Sequence, residues 1–216
     1  MEMYLIEQTE RFLKNKFSGS PYLQAHPADM AYRLEHSYRV ANIAKAIAAA
    51  EGFDETYGAI AGLLHDISYC EEMGDREDWK NHGRRSAAIA RPFLKSLNLP
   101  ENAINDICYG IAIHVDDQAD FVWERTPFCD TVGDADNIDR FDAYRIYESL
   151  QYLKFSEMPL DEKLETVKST IQKLIKYKDM KLATETATNL WNERITYYLS
   201  FYEKLSAQLN ASSEIE

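Results

Sequence analysis

The chain has 216 residues, of which 45% are hydrophobic and 28% charged, a composition typical of a globular protein rather than a disordered one. A chain of this length can bury a core as one domain, because domains commonly contain ~100 to 200 residues. The formal net charge of −12 argues against binding to nucleic acid polymers, which depends on clustered Lys and Arg, but leaves small anionic substrates open. No apolar run approaches the ~20 residues that span a bilayer, and three cysteines without metal-type spacing indicate reduced thiols. We therefore expect no membrane partner and a cytoplasmic location.

Apolar residues recur at helical spacing along most of the chain. In the segment 27–51, for example, His36 is followed by branched apolar residues at steps of four, three and four. The predicted helices span residues 3–16, 27–51, 82–97, 159–177 and 183–209, and three others begin near residues 54, 100 and 127. The polar segment 71–81 is predicted to be a loop over any site in the core. Because no strand alternation is present, the sequence predicts an all-α fold.

Four of the five histidines lie on the apolar side of a predicted helix, and two aspartates accompany them. These six residues are His36, His65, Asp66, His82, His114 and Asp136. Taken singly, each imidazole fits a core side chain that is hydrogen-bonded to the backbone. Burying all six polar groups without a cation would leave several of them short of partners, at a cost of ~1 to 3 kcal/mol each. The set therefore predicts a site for one or two divalent cations.

The local strings around these residues match a known family. They read Arg33-Leu-Glu-His-Ser-Tyr-Arg-Val40, Ala-Gly-Leu-Leu-His-Asp66 and Gly-Asp-Ala-Asp136. Together with the order of the six residues, they make the chain resemble the HD-domain metal-dependent phosphohydrolase superfamily over about residues 30–150. The similar proteins include small stand-alone bacterial members that cleave symmetrical dinucleoside tetraphosphates or act on nucleoside triphosphates. A departure from many signalling relatives is His-Asp-Ile-Ser-Tyr in place of His-Asp-Ile-Gly-Lys, which puts cyclic-dinucleotide hydrolysis in doubt.

The resemblance implies a ligand set and an architecture. One metal ion would be bound by His36, His65, Asp66 and Asp136. In members with two metal ions, a second would be bound at the positions of His82 and His114, with Asp66 bridging. The cofactor would be one or two divalent ions, with Mn, Fe, Ni and Mg as candidates. The fold would be a compact helical HD-domain bundle, a single HD-type domain over 1–216, with two additional C-terminal helices over about 158–210.

Several polar residues near the six are candidates for contacts with substrate. Arg33 lies one turn before His36 and Arg85 about one turn after His82, so both are predicted to contact phosphate, with Lys80 and Arg84 as weaker candidates. Asp66, Arg85 and Asp116 are the predicted catalytic residues, Asp116 or its neighbour Asp117 as a general acid. The alternative role of each arginine is a solvated surface side chain or an ion pair with a nearby carboxylate. The alternative role of Asp116 or Asp117 is a helix cap.

Three functions fit the sequence. The leading one is a metal-dependent phosphohydrolase that uses a metal-activated water on a small phosphorylated substrate, expected to be a nucleotide. The others are a di-iron oxygenase of the HD type and a non-catalytic nucleotide-binding protein in which the metal serves structure. The terminal helix pair either completes the core or forms the interface of a homodimer.

Overall fold

The computed structural model describes residues 2–212, and in that range the chain is helical with no strand, which confirms the predicted all-α class. The α-helices are α1 (Glu2–Ser18), α2 (Pro21–Ala25), α3 (Pro27–Glu51), α4 (Glu55–Leu64), α5 (Arg76–Ser96), α6 (Glu101–Ile113), α7 (Pro127–Asp139), α8 (Ala143–Tyr152), α9 (Leu160–Tyr177) and α10 (Glu185–Asn210). Two short 3-10 helices, Ile67–Cys70 and Phe155–Glu157, lie between them.

The chain divides into two compact units, the first ending at Asp139 and the second beginning at Arg140. Helices α1 to α7 belong to the first unit and α8 to α10 to the second. The expectation of a single HD-type domain over the whole chain stays a prediction.

The core of the first unit is aliphatic, and close helix packing delivers the polar residues to it. Helix α4 packs against α3 at Gly62, where a Cβ would lie 2.6 Å from the Cα of Ala41. Helix α5 approaches α6 equally closely at Gly83, where a Cβ would lie 2.7 Å from the carbonyl oxygen of Ala112. Gly62 lies one turn before His65 and Gly83 directly follows His82, so these contacts affect how near the imidazoles of neighbouring helices can come.

The segment 71–81 differs from its prediction. It is a loop only as far as Asp75, and α5 begins at Arg76, one and a half turns before His82. The Asp75 carboxylate accepts the backbone N–H groups of Glu77 and Asp78, which is the contact that starts a helix. The loop assignment was therefore wrong for 76–81, where charged residues on an exposed helical turn concealed the helix.

Two helices were also missed, and the core-facing side of α5 was misplaced. Helices α2 and α8 were not predicted, since α2 is only one turn long and α8 follows a run of carboxylates. Helical spacing over 82–97 predicts that Ile89, Phe93 and Leu97 face the core. In the structure these three are half-buried and pack on the edge of the core. The buried apolar residues of α5 are instead Ala87, Ala90 and Leu94, so its inward face is turned slightly.

The second unit has an aromatic core. Phe141 packs edge to face on Trp191 and on Tyr198 of α10, with ring centroids 5.0 and 5.6 Å apart. The indole N–H of Trp191 donates to the carbonyl of Tyr177 at the end of α9. The inward stripe predicted for the last helix is confirmed for Trp191, Ile195, Tyr198 and Tyr202. Over the described residues, none of the helices combines the length and apolar character that a membrane span requires.

Candidate metal centre

The structure brings all six predicted ligands together in the first unit. The four histidines form two pairs. The Nε2 atoms of His36 and His65 are 3.2 Å apart, and those of His82 and His114 are 3.1 Å apart. We call the first pair the His36 half and the second pair the His82 half. Both pairs are inside the protein, with side chains between 0 and 8% exposed.

Asp66 lies between the two halves. Its Oδ2 is 3.7 Å from Nε2 of His36 and 3.6 Å from Nε2 of His65. Its Oδ1 is 3.1 Å from Nε2 of His82 and 3.7 Å from Nε2 of His114. Each oxygen of one carboxylate therefore faces a different pair of imidazoles, the arrangement that a bridging ligand needs.

Three of the four imidazoles are held by the carbonyl oxygen three residues earlier in the chain. The Nδ1 of His65 bonds to Gly62, that of His82 to Trp79, and that of His114 to Ile111. A carbonyl oxygen only accepts, so each Nδ1 carries the hydrogen, and in the neutral ring each Nε2 presents its lone pair to the site. The tautomer that a metal ion requires is thus fixed by backbone geometry.

His36 is held differently, by a carboxylate from α7. Its Nδ1 donates to Asp139 at 2.8 Å, and its Nε2 lies 3.2 Å from Asp136. Arg39 donates to the second oxygen of Asp139, also at 2.8 Å. Burial acts to lower the pKa of His36, but the bonds to Asp136 and Asp139 outweigh it and raise that pKa to about 9 in the metal-free protein.

The other charges of the site follow from burial and from their neighbours. Burial lowers the pKa of His65 to about 4, so that ring is neutral near pH 7. Burial acts to raise the pKa of Asp66, but the surrounding imidazoles and Arg33 hold it well below its ordinary value. Asp66 is therefore ionised, and a neutral His65 lone pair faces it.

These donors fit divalent cations. His36, His65 and Asp66 each place one ligand atom within 4.8 Å of the others, and so do Asp66, His82 and His114. In the His82 half, two imidazole lone pairs and a carboxylate oxygen converge, which is unfavourable unless a proton or a cation lies among them. Imidazole nitrogen with carboxylate oxygen suits Zn, Fe, Ni or Mn, whereas Mg prefers oxygen alone.

Among the residues predicted to bind substrate, Arg33 alone contacts one of the six predicted metal ligands. Its Nη1 lies 2.9 Å from Oδ2 of Asp66, and its side chain is 25% exposed. Arg85 instead forms ion pairs with Glu71 and Asp78, and Lys80 is exposed.

The two predicted general acids form ion pairs with arginine side chains outside the metal centre. Asp116 accepts two bonds from Arg84, each of 3.0 Å, and Asp117 pairs with Arg125 at 2.8 Å. The substrate and acid roles of Arg85, Lys80 and Asp116 stay predictions.

Sequence reasoning missed one residue of the site, Asp139. Among Asp134, Asp136 and Asp139, the spacing from Val132 favours Asp136 as the residue that faces the core, yet Asp139 is only 2% exposed. The signal was present, because residues three apart on a helix share a face, and Asp139 stands three residues after Asp136.

Comparison with known proteins decides the family. The family model described as HD domain matches residues 33–144, just over half of the chain and a range that includes all six predicted ligands. The chain belongs to the HD domain family. HD domains bind divalent metals, in agreement with the two ligand groups described above. No curated protein matches the chain.

Solved structures show the same HD fold at low sequence identity. A predicted HD superfamily hydrolase from an uncultured Thermotogales bacterium is 21% identical with a TM-score of 0.65, over 94% of this chain and 91% of that one. Bacillus subtilis YpgQ in complex with ADP is 17% identical with a TM-score of 0.59, over 96% of each chain. The selenomethionine form of YpgQ is 16% identical with a TM-score of 0.60, over 98% of this chain and 99% of that one.

Proposed function

We propose that this HD-domain protein is a metal-dependent phosphohydrolase that cleaves a phosphoester or phosphoanhydride of a nucleotide or another small molecule. The observation that carries the proposal is Asp66, whose two oxygens face two separate pairs of imidazoles. A site built only for structure would need one closed set of ligands, whereas a shared carboxylate suits two adjacent ions at a reaction centre.

His36, His65, Asp66 and Asp136 would hold one ion, and His82 and His114 a second, with Asp66 common to both. Ions bound there would lower the pKa of a coordinated water and polarise a phosphoryl oxygen. The carbonyl bonds of His65, His82 and His114 place the hydrogen of each neutral ring on Nδ1, so each Nε2 can offer its lone pair to an ion.

Arg33 is the side chain best placed to contact a phosphate. It lies against Asp66, and a quarter of its side chain is exposed, so its remaining N–H groups can reach a ligand over the site. Its fork of donors can orient a phosphoryl group and offset negative charge as the leaving group departs.

A nucleotide is the favoured substrate class. YpgQ, a protein of the same fold, was crystallised with ADP. That complex describes YpgQ, and at 17% identity it supports the class of ligand without naming this chain's substrate.

The test is a hydrolysis screen of nucleotides, dinucleoside polyphosphates and generic phosphoesters, read by chromatography of the products as well as by phosphate release, with Mn, Fe, Ni or Mg added separately under anaerobic conditions. We expect turnover with at least one metal, its loss with EDTA, and its loss in His82→Gln even when that variant retains its fold by circular dichroism. In a parallel aerobic assay, substrate oxidation that consumes dioxygen in a protein containing two irons would overturn the proposal in favour of the oxygenase. Full metal occupancy without turnover of any substrate would overturn it in favour of a binding role.

A further inference from the structure

A cavity of about 270 Å3 opens beside the metal centre, and the proposed function does not account for it. We call it the tyrosine pocket. Its lining residues are Tyr22, Leu23, Asp29, Tyr32, Arg33, Tyr69 and Met73. They come from α2, α3, the 3-10 helix after Asp66 and the loop that follows it.

Two lining residues join the tyrosine pocket to the centre. Arg33 donates to Asp66, and its guanidinium lies 3.4 Å from the centroid of the Tyr69 ring. The Tyr69 ring in turn lies 5.0 Å from the ring of His82. A molecule with its phosphate at the centre can therefore reach this pocket with its next group.

The walls of the pocket are fixed to each other. The Ser20 hydroxyl donates to the carbonyl oxygen of Cys70, which ties the start of α2 to the 3-10 helix that carries Tyr69. The Ser20 oxygen also accepts the backbone N–H of Leu23 and so caps α2. The pocket is thus formed before any ligand enters, which reduces the entropic cost of binding.

The lining selects a flat, aromatic ligand group. The rings of Tyr22 and Tyr32 offer planar faces on which another ring can stack, while the Arg33 guanidinium covers a face of Tyr69. Leu23 and Met73 add apolar surface to a lining that is otherwise polar or aromatic. The exposed carboxylate of Asp29 at the pocket can accept hydrogen bonds from a ring amino group. A volume just below the ~300 Å3 at which small-molecule pockets begin suits one ring system rather than a whole ligand.

We propose that the tyrosine pocket binds the nucleobase of the substrate, with Tyr32 as its principal stacking surface and Tyr22 as the second. The proposal rests on the proposed function, because it assumes that the phosphate end of the ligand occupies the metal centre. It goes further by assigning specificity to named residues that hold no metal.

The experiment compares ligands that differ only in the ring. AMP, GMP, CMP and UMP are titrated against the Mn-loaded full chain by calorimetry, and ribose 5-phosphate is the ring-free counterpart. Stacking of a base on aromatic side chains corresponds to about 5- to 150-fold in affinity, so we expect at least one nucleotide to bind that much more tightly than ribose 5-phosphate. Equal affinities would overturn the proposal.

Variants then locate the ring. Tyr32→Ala should remove most of the nucleotide preference and leave ribose 5-phosphate binding unchanged, whereas Tyr32→Phe should keep the preference. Tyr22→Ala should act in the same direction but less strongly. It tests the pocket without altering Tyr32, whose ring lies parallel to that of His36 with centroids 5.9 Å apart. Tyr4→Ala, at an exposed tyrosine of α1, is the matched control.

Trp79, half exposed one turn before His82, is the rival stacking surface. If Trp79→Ala removed the preference and Tyr32→Ala did not, the tyrosine pocket would be excluded. Failure of the proposed function looks different: nucleotides would bind in a Tyr32-dependent manner without any release of phosphate. Conversely, equal turnover of ring-bearing and ring-free phosphates would retain the phosphohydrolase and overturn the pocket.

Discussion

The two halves of the candidate metal centre present the same donor atoms but hold them by different means. In the His82 half, both rings bond to carbonyl oxygens three residues earlier in the chain. In the His36 half, the His36 ring bonds to Asp139, which lies 103 residues away in the chain. The first device is local, carries no net charge and cannot be removed by changing a side chain. The second adds a negative charge that makes the ring a stronger donor, so we expect the His36 half to bind its cation more tightly.

The largest loss of metal affinity and activity is expected from substitution of Asp66, which lies between the two halves. Asp66→Asn keeps the shape of the bridging side chain but removes the charge that both halves share. We expect metal affinity to fall in both halves and phosphate release to fall more than about 100-fold, beyond the range typical of residues that only support a ligand. Metal analysis after dialysis and initial rates would measure this. Asp54→Asn, at the N-cap of α4, the helix that precedes Asp66, should leave both quantities unchanged because Asn also caps well. Loss of metal from one half alone would refute a shared carboxylate.

Asp139→Asn separates the halves. The introduced amide has the size of the carboxylate but lacks the negative charge that supports the His36 ring and that pairs with Arg39. We expect an affinity loss of about 10- to 100-fold confined to the tighter site. Two-site calorimetric titration with Mn resolves the sites, and Asp130→Asn on the same helix, whose partner is Arg125, is the control. Equal weakening of both sites would show that Asp139 acts through the fold instead of through His36.

A substitution that separates α5 from α6 tests how the His82 half depends on the distance between these helices. Gly83→Ala would push a Cβ to 2.7 Å from the carbonyl oxygen of Ala112, so α5 must move away from α6. We expect a loss of about 1 to 3 kcal/mol of stability and weaker binding at the His82 half. Gly133→Ala meets nothing closer than 3.6 Å and should change stability by no more than about 1 kcal/mol. Urea denaturation of both variants measures the difference, and similar losses in the two would contradict this account.

Without metal, the histidines of the His36 half should give a pH optimum of stability. Bonding to carboxylates raises the pKa of His36 from 6.5 to about 9, so its contribution is complete below 6.5 and is lost as the pH rises towards 9. Burial lowers the pKa of His65 from 6.5 to about 4, so stability is lost as the pH falls from 6.5 to 4. Melting temperatures measured in EDTA should peak near pH 6.5, and His36→Gln should flatten the alkaline side. A melting temperature that rises from pH 6.5 to 9 would contradict the assignment.

Much of this site was predictable from the sequence, because its donors lie on helices with clear apolar stripes. His36, Asp66 and Asp136 could be found since each interrupts an apolar stripe or follows one directly. The backbone bonds that orient the rings, and the contact between Asp139 and His36, could not be predicted. They depend on where a helix ends and on how α3 and α7 meet, and neither follows from spacing within one helix.

The smallest effect is expected at Arg85, and it tests how far helical spacing can be used. Spacing alone predicts a phosphate contact, because Arg85 follows His82 by about one turn. In the structure its guanidinium binds Glu71 and Asp78, and its side chain is 32% exposed. An exposed pair of this kind contributes about 0 to 1 kcal/mol to stability. If those pairs are its whole role, Arg85→Ala should change kcat/KM by less than about threefold, a free energy of under 1 kcal/mol. Arg33→Ala, which deprives buried Asp66 of a partner at the centre, should lower kcat/KM more than about tenfold. Should Arg85→Ala cause the larger loss, Arg85 would have to exchange its carboxylate partners for phosphate when substrate binds.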